Sequence, residues 1–178
     1  MTNSKQILAS LLLIFGFSLQ AKSADLEKSL QPTVASAQKI AADPKIVKAV
    51  KEANTANAAK YKDMNQDKWK ALSIMDPIVK DFTKNEAAVV LKADKPANVT
   101  EMFLNAKDGS KVAFLAKTSG WIHVGKPKHD VPMTGKVWIG KIETDESTGL
   151  QQVQIAVPVL EDGKVIGTMV VGVDTGKL

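Results

Sequence analysis

The sequence predicts an α+β domain in which long N-terminal helices pack on a five-stranded antiparallel sheet. Up to Asp94, apolar residues recur every three or four positions, which is the period of an amphipathic helix. After Asp94 the period falls to two, and β-branched and aromatic residues alternate with polar ones, as in strands. Short glycine-containing segments separate these later runs, and such short connections join antiparallel strands.

The chain begins with a predicted secretory signal. Lys5 places a positive charge before the apolar run 7–19, whose thirteen residues fall short of the roughly 20 that a membrane-spanning helix needs. Ala21 and Ser23 are the small residues expected before a cleavage site at Ala24. We therefore expect residues 1–23 to be a cleaved signal peptide and the protein to be periplasmic or secreted. An uncleaved N-terminal anchor is the alternative.

Residues 24–178 are predicted to form a single domain, with a helical part at 24–94 and an antiparallel sheet at 95–178. This length is enough for one hydrophobic core and hardly enough for two. The absence of cysteine excludes a disulfide framework, a lipid-modified cysteine and a thiol nucleophile.

All 24 basic residues of the chain are lysines, and they alternate with 19 acidic residues rather than forming a block. This distribution argues against a nucleic-acid-binding surface. The absence of arginine also matters for small ligands, because bidentate binding of a carboxylate or phosphate is a property of arginine, whereas lysine offers a mobile point charge.

The predicted helices are defined by apolar stripes and by capping signals. The first has its stripe at Leu26, Leu30, Val34, Ala37 and Ile40. Asp43-Pro44 and Asp76-Pro77 each combine an N-cap residue with a proline at the first helical position, so a new helix is expected after each. The second helix is expected to weaken at 54–57. A third carries Trp69, Leu72 and Met75, and a short helical turn is expected at 86–92.

Five strands are predicted after the helices, at residues 99–106, 111–117, 137–144, 151–160 and 165–173. Asp108-Gly109 joins the first two, and an Asp-Gly pair is the strongest short hairpin signal in the chain. Turns at 147–149 and 161–164 close the last three strands into an antiparallel meander.

The connection between the second and third strands differs from the others. Residues 118–136 contain three glycines, two prolines, both histidines of the chain and Trp121. A connection of this length in a compact domain is usually functional or mobile. We call residues 118–136 the crossover.

The order of these elements resembles the extracytoplasmic Cache sensor domain (PAS-like, PDC) in its single-module form. The segments that carry the resemblance are Asn105–Gly109, Val112–Ala113, Gly135–Gly140, Asp145–Gly149, Ile155–Val159, Gly163–Gly167 and Gly172–Asp174. The resemblance implies a PAS-like sheet with the N-terminal helix on one face and a small-molecule pocket on the other, beneath the crossover.

By their position in this family, six residues are expected to line that pocket. They are Lys117, Trp121, His123, His129, Asp130 and Trp138. Amino-acid-binding members of the family hold the ligand carboxylate with an arginine, which this chain lacks, so amino-acid recognition of that type is not expected. The resemblance implies a non-catalytic sensor module without a cofactor, which reports its ligand to a membrane receptor or kinase.

Other interpretations of the same residues stay open. His123, His129 and Asp130 are potential metal ligands or catalytic groups, although their spacing matches no closed metal motif. Trp121 and Trp138 are either ligand-binding walls or core residues. Lys117, and with it Lys126 and Lys128, either attracts an anionic ligand or is an ordinary surface residue. A further alternative is a structural protein that forms a homodimer through the N-terminal helix.

Overall fold

The computed structural model describes residues 25–144 and 149–178. The chain divides into two compact units, residues 1–32 and 33–178. In the first unit the described residues, 25–32, are helical. The predicted signal peptide lies outside the described residues and stays a prediction. No helix in the described ranges is long and apolar enough to cross a membrane.

The described residues of the second unit form six α-helical segments, two of which begin where the sequence predicts caps. They comprise residues 33–41 (α1), Pro44–Lys60 (α2), Gln66–Ala71 (α3), Pro77–Lys84 (α4), Glu86–Ala93 (α5) and Pro127–Asp130 (α6). The carboxylates of Asp43 and Asp76 accept hydrogen bonds from the backbone N–H groups of Lys45 and Ile78. Each bond satisfies an N–H that the helix itself leaves unpaired. Both predicted caps are confirmed.

The five strands form one antiparallel sheet. They are Val99–Ala106 (β1), Lys111–Phe114 (β2), Trp138–Thr144 (β3), Gln151–Glu161 (β4) and Lys164–Asp174 (β5). The strand order is β2-β1-β5-β4-β3, and each neighbouring pair is antiparallel. The predicted fold class is therefore confirmed, as is the meander of the last three strands.

Two of the predicted turns have the backbone geometry that their residues favour. Asp162 and Gly163 have φ angles of 48° and 76°, as in the tight turns that match the twist of a hairpin. Gly109 has a φ angle of 77°, and the Asp108 carboxylate accepts a hydrogen bond from Ser110 N. The predicted turn at 147–149 lies mostly outside the described residues.

The prediction of a weakened helix at 54–57 is wrong, because α2 continues through this segment. Asn57 is buried, and its Nδ2 donates hydrogen bonds to Ser110 Oγ at 2.8 Å and to the Lys111 carbonyl oxygen at 3.0 Å. Asn54 accepts a hydrogen bond from the turn between β1 and β2. These asparagines fasten α2 to the first hairpin, and tertiary contacts of this kind outweigh their low helix propensity.

Two predicted elements are shorter in the structure. The helix that carries Trp69 ends at Ala71, and Met75, which the sequence places on its apolar stripe, is 65% exposed. Strand β2 ends at Phe114 rather than at Lys117. In both places the element ends earlier than the local apolar pattern predicts.

The two faces of the sheet have different partners. Gly167 pairs with Ala106, and a Cβ atom added at Gly167 would lie 2.5 Å from Val50 Cγ1, so α2 lies directly on this face. The opposite face carries Phe103 and Val170, which belong to a buried cluster together with side chains of α3, α4 and the crossover. The crossover therefore covers the face that α2 does not cover.

Candidate functional site

The crossover is fastened at two points. The indole Nε1 of Trp69 in α3 donates a hydrogen bond to the Thr118 carbonyl oxygen at 2.8 Å. Further along, His123 N donates to the carbonyl oxygen of Gly109 in the first hairpin at 3.0 Å. A Cβ atom at Gly109 would lie only 2.5 Å from Val124 N, so the hairpin and the crossover approach each other more closely than any other residue would allow.

The aromatic residues expected to line the pocket pack against one another. Trp121 is 4% exposed, and its ring contacts those of Trp69 and Tyr61 at centroid distances of 5.1 and 5.3 Å. Trp138 is half-buried on β3 and packs against the same cluster. Lys117 is also half-buried, with its Nζ 5.1 Å from the centre of the Trp69 ring. Protein side chains thus surround Trp121, whereas Trp138 is partly exposed.

A fully buried lysine lies next to this cluster. Lys111 is the first residue of β2, pairs with Asn105 of β1 and has no exposed surface. Its Nζ donates hydrogen bonds to Asn105 Oδ1 at 2.8 Å and to His123 Nδ1, and it lies 4.5 Å from the centre of the Phe103 ring. Asn105 and Phe103 are uncharged, and His123 must be neutral to accept the hydrogen bond from Lys111.

The hydrogen-bonded chain continues from Asn105 to the second histidine. Asn105 Nδ2 donates to Thr168 Oγ1 at 3.0 Å, and the Thr168 hydroxyl contacts His129 Nδ1 at 3.2 Å. The Nε2 atom of His129 lies 3.3 Å from the Lys107 carbonyl oxygen. A carbonyl oxygen can only accept, so Nε2 carries the proton and Nδ1 accepts from Thr168. We call Asn105, Lys111, His123, His129 and Thr168 the buried polar network.

A second lysine approaches the same phenylalanine from the crossover. Lys128 in α6 is half-buried, and its Nζ lies 6.0 Å from the centre of the Phe103 ring. Its Nζ donates to Gln154 Oε1 at 2.9 Å, and Gln154 Nε2 in turn donates to Glu101 Oε2 at 2.9 Å. In the described part of the chain, neither the Lys111 nor the Lys128 ammonium has a carboxylate oxygen within 4.0 Å.

The surroundings of these groups disfavour positive charge. Burial, and then the charge of Lys128, lowers the pKa of Lys111 well below its usual value. Burial, and then the charge of Lys111, lowers the pKa of His123 to about 2. Burial also lowers the pKa values of Lys128 and His129. The site therefore holds two lysines and two histidines whose burial outweighs the opposing effect of nearby carboxylates such as Glu101.

The three residues of the metal or catalytic alternative have separate partners. His123 contacts Lys111, and His129 contacts Thr168, whereas Asp130 is exposed and accepts a hydrogen bond from Gly125 N at 3.1 Å. Within residues 25–144 and 149–178, no three histidine, aspartate or glutamate side chains come together as a metal site would require.

Sequence reasoning missed the centre of the network. Asn105, Lys111 and Thr168 were not among the expected pocket residues, although each stands in a predicted strand among apolar neighbours. Asn105 pairs with both Lys111 and Thr168 in the sheet. A polar residue inside an otherwise apolar strand is the signal that points to such a site, but only the strand pairing shows that the three polar residues meet.

A small cavity and a larger groove lie next to the elements that carry the polar network. A cavity of about 20 Å³ lies beside Trp138, Gly140 and Gln154, which is room for about one water molecule. A groove of about 570 Å³ lies between α2 and the α4–α5 segment, and charged side chains such as Lys48 and Glu86 line it. The larger space is thus an open surface groove, and all five residues of the polar network are buried.

Comparison with known proteins supports the fold. No protein-family model matches the chain, and no curated protein sequence matches it either. The structure is similar to that of the sensor domain of the V. cholerae histidine kinase DctB, with a TM-score of 0.53 and 17% identity over 93% of this chain and 57% of that one.

A second similar structure is the ligand-binding domain of the Pseudomonas aeruginosa PAO1 amino acid chemoreceptor PctC, solved in complex with GABA. The TM-score is 0.50, with 10% identity over 92% of this chain and 61% of that one. The chain spans about three fifths of the length of these two domains. The chain therefore has the fold of a Cache-type (PDC-like) sensor domain.

Proposed function

We propose that this protein is a non-catalytic sensor module that binds a small molecule outside the cytoplasm and reports it to a membrane receptor or kinase. The fold supports this proposal, because both similar structures are sensing parts of signalling proteins. The predicted signal peptide supports the location. We place the ligand beneath the crossover, against the sheet face that carries Phe103.

The observation that carries the proposal is the buried polar network. Burying an ammonium group among uncharged partners costs several kcal/mol that an apolar side chain of similar size would not cost. Asn105, Lys111 and Thr168 lie on neighbouring strands at paired positions, so the arrangement is built into the register of the sheet. Polar groups that lower stability in this way concentrate at functional sites.

Binding fits the geometry better than catalysis. The Nδ1 atoms of His123 and His129 are both engaged in hydrogen bonds inside the network. Asp130, the carboxylate that would orient a catalytic histidine, contacts the Gly125 backbone instead. We infer that the histidines position the lysine and the asparagine rather than transfer protons to a substrate.

The test is a thermal-shift screen of organic acids, amines and purines, together with native mass spectrometry of protein purified from its own host. A ligand that binds the folded state raises the melting temperature by mass action. Thr168→Val removes the hydroxyl that links Asn105 to His129 with little change of shape, and it should reduce the shift. Lys92→Ala, an exposed position on α5, is the matched control and should leave the shift unchanged. If nothing binds in either experiment, the proposal is wrong.

A further inference from the structure

The two edge strands of the sheet, β2 and β3, differ in what contacts their backbones. In β2, the Lys111 carbonyl oxygen accepts a hydrogen bond from Asn57 of α2 at 3.0 Å, and the Val112 carbonyl oxygen accepts one from Asn85, the cap of α5, at 2.8 Å. Within the described residues, β3 receives no hydrogen bond from outside the sheet. Its outer N–H and C=O groups are therefore available to a further strand.

The exposed half of β3 carries two opposite charges on either side of an apolar residue. Lys141, Ile142 and Glu143 are consecutive and exposed, with Ile142 47% exposed. Lys141 and Glu143 both border the small cavity beside Gln154, so they share one face of the sheet, whereas Ile142 pairs with Val153 and lies on the other face. In the described part of the chain, neither charged group has an ion-pair partner within 4.0 Å.

We propose that β3 is a docking edge for a second copy of this chain, which adds its own β3 in the antiparallel direction. Ile142 lies opposite the partner's Ile142 in this pairing. Lys141 then faces the partner's Glu143, and Glu143 faces the partner's Lys141. The two sheets become one continuous sheet. This interaction surface is separate from the proposed ligand site and does not depend on it.

The symmetry of such a pair determines its register. A two-fold axis perpendicular to the sheet keeps each side chain on its own face, and successive residues of a strand point to opposite faces. One residue must therefore lie opposite its own copy. With Lys141 or Glu143 in that place, like charges would lie opposite each other, which destabilises a strand pair. With Ile142 there, the pairing has one apolar pair and two pairs of opposite charge.

The same edge is poorly suited to other strands. Its register shifts between Ile139 and Ile142, and both a bulge of this kind and an edge lysine discourage pairing. Opposite an apolar strand, Lys141 would lose water without gaining a counter-charge, whereas the partner's Glu143 supplies one. The bulge confines the pairing to residues 140–144. The interface is therefore small, and we expect a weak dimer with a dissociation constant of roughly 100 µM.

The experiment is sedimentation equilibrium of the full chain over a concentration range of about 10 µM to 1 mM. In Lys141→Glu, carboxylates face each other at both symmetric positions of the dimer, so the affinity should fall about tenfold. Glu143→Lys places ammonium groups opposite each other and should have the same effect. Lys92→Glu makes the same change of charge at an exposed position of α5. It is the matched control and should change the affinity less than about threefold.

A mixture of the two variants is the sharpest readout. One strand then carries two carboxylates and the other two ammonium groups, so a heterodimer of Lys141→Glu with Glu143→Lys regains both pairs of opposite charge. It should form with about the affinity of the wild type, although each variant alone dimerises poorly. A mixture of Lys92→Glu with Glu143→Lys has the same total charge and should not restore the dimer. The double variant Lys141→Glu/Glu143→Lys should dimerise as the wild type does.

Hydrogen exchange measured by mass spectrometry locates the interface. Backbone amides in the peptide that covers 138–144 should exchange more slowly as the protein concentration rises, because the added strand pairs with them. Lys141→Glu should remove this dependence on concentration. The exchange of β1 and β5 should be the same in every variant, which checks that each one is folded.

Three results would refute the strand pairing. A wild type that stays monomeric up to about 1 mM has no such interface. A dimer that both charge variants leave unchanged uses another surface, such as the N-terminal helix. If both variants weaken the dimer and neither the mixture nor the double variant restores it, the charges do not face each other as proposed. None of these results bears on the proposed function, which the ligand screen tests separately.

Discussion

Lowering the pH should destabilise this protein through His123, at pH values where the carboxylates of the protein are still ionised. Burial and the charge of Lys111 lower the pKa of His123 from 6.5 to about 2 in the folded chain, whereas an unfolded chain binds the proton near pH 6.5. Between these values the unfolded state holds one proton more than the folded state. The stability from His123 is therefore complete above pH 6.5 and is lost as the pH falls towards the folded pKa.

The size of the effect follows from the same values. Each pH unit below 6.5 lowers the free energy of unfolding by up to about 1.4 kcal/mol per proton, so His123 alone accounts for about 2 kcal/mol at pH 5.0. The lowered pKa values of Lys111 and His129 act in the same direction. A comparison with a variant is therefore needed to isolate the part that belongs to His123.

His123→Gln is the variant that isolates it. The glutamine oxygen can accept the hydrogen bond from Lys111 and does not titrate, so the variant should lose about 2 kcal/mol less than the wild type between pH 7.0 and 5.0. Urea unfolding followed by tryptophan fluorescence measures the difference, because Trp69 and Trp121 are buried in one cluster. If both proteins lose the same stability over this pH range, His123 is not buried in its neutral form and the reasoning fails.

Three substitutions test the packing that holds the site, each measured by urea unfolding at pH 7.0. Gly167→Ala would place a Cβ atom 2.5 Å from Val50 Cγ1, so a loss of about 1–3 kcal/mol is expected, and a loss below about 0.5 would contradict the close approach of α2. Asn57→Ala leaves the Lys111 carbonyl without its side-chain donor and should cost about 1–3 kcal/mol; no loss would mean that α2 is not fastened there. Asp76→Ala removes the cap of α4, with an expected loss of about 1 kcal/mol, and an unchanged unfolding midpoint would refute that cap.

The features that the sequence predicted correctly depend on neighbours along the chain. An aspartate before a proline caps α2 and α4 because the carboxylate reaches an N–H two residues away. The Asp-Gly turns work in the same way, since the positive φ angles that they require belong to the glycine and, at position 162, to the aspartate beside it. Such signals need no knowledge of the rest of the fold, so one sequence is enough to find them.

The features that the sequence missed depend on residues far apart in the chain. Asn105 and Thr168 are separated by 63 positions, and nothing near either residue indicates that their side chains meet. The helix propensity of Asn57 predicts a weakened helix, although its buried side-chain amide donates a hydrogen bond to the first hairpin, 53 positions away. Both histidines are expected in the pocket from their position in the family, but their hydrogen-bond partners, Lys111 and Thr168, emerge only from the folded structure.

Lys111 connects two parts of the structure that the proposed sensor function would couple. Its ammonium lies in the buried polar network, whereas its carbonyl oxygen accepts a hydrogen bond from Asn57 in α2, which packs on the other face of the sheet. The same residue would therefore contact a ligand beneath the crossover on one face of the sheet, and it contacts the helix on the other. An apolar residue at this position would preserve the second contact without the cost of burying an amine. The ammonium is thus not needed to fasten the helix, and we infer that its role lies in binding.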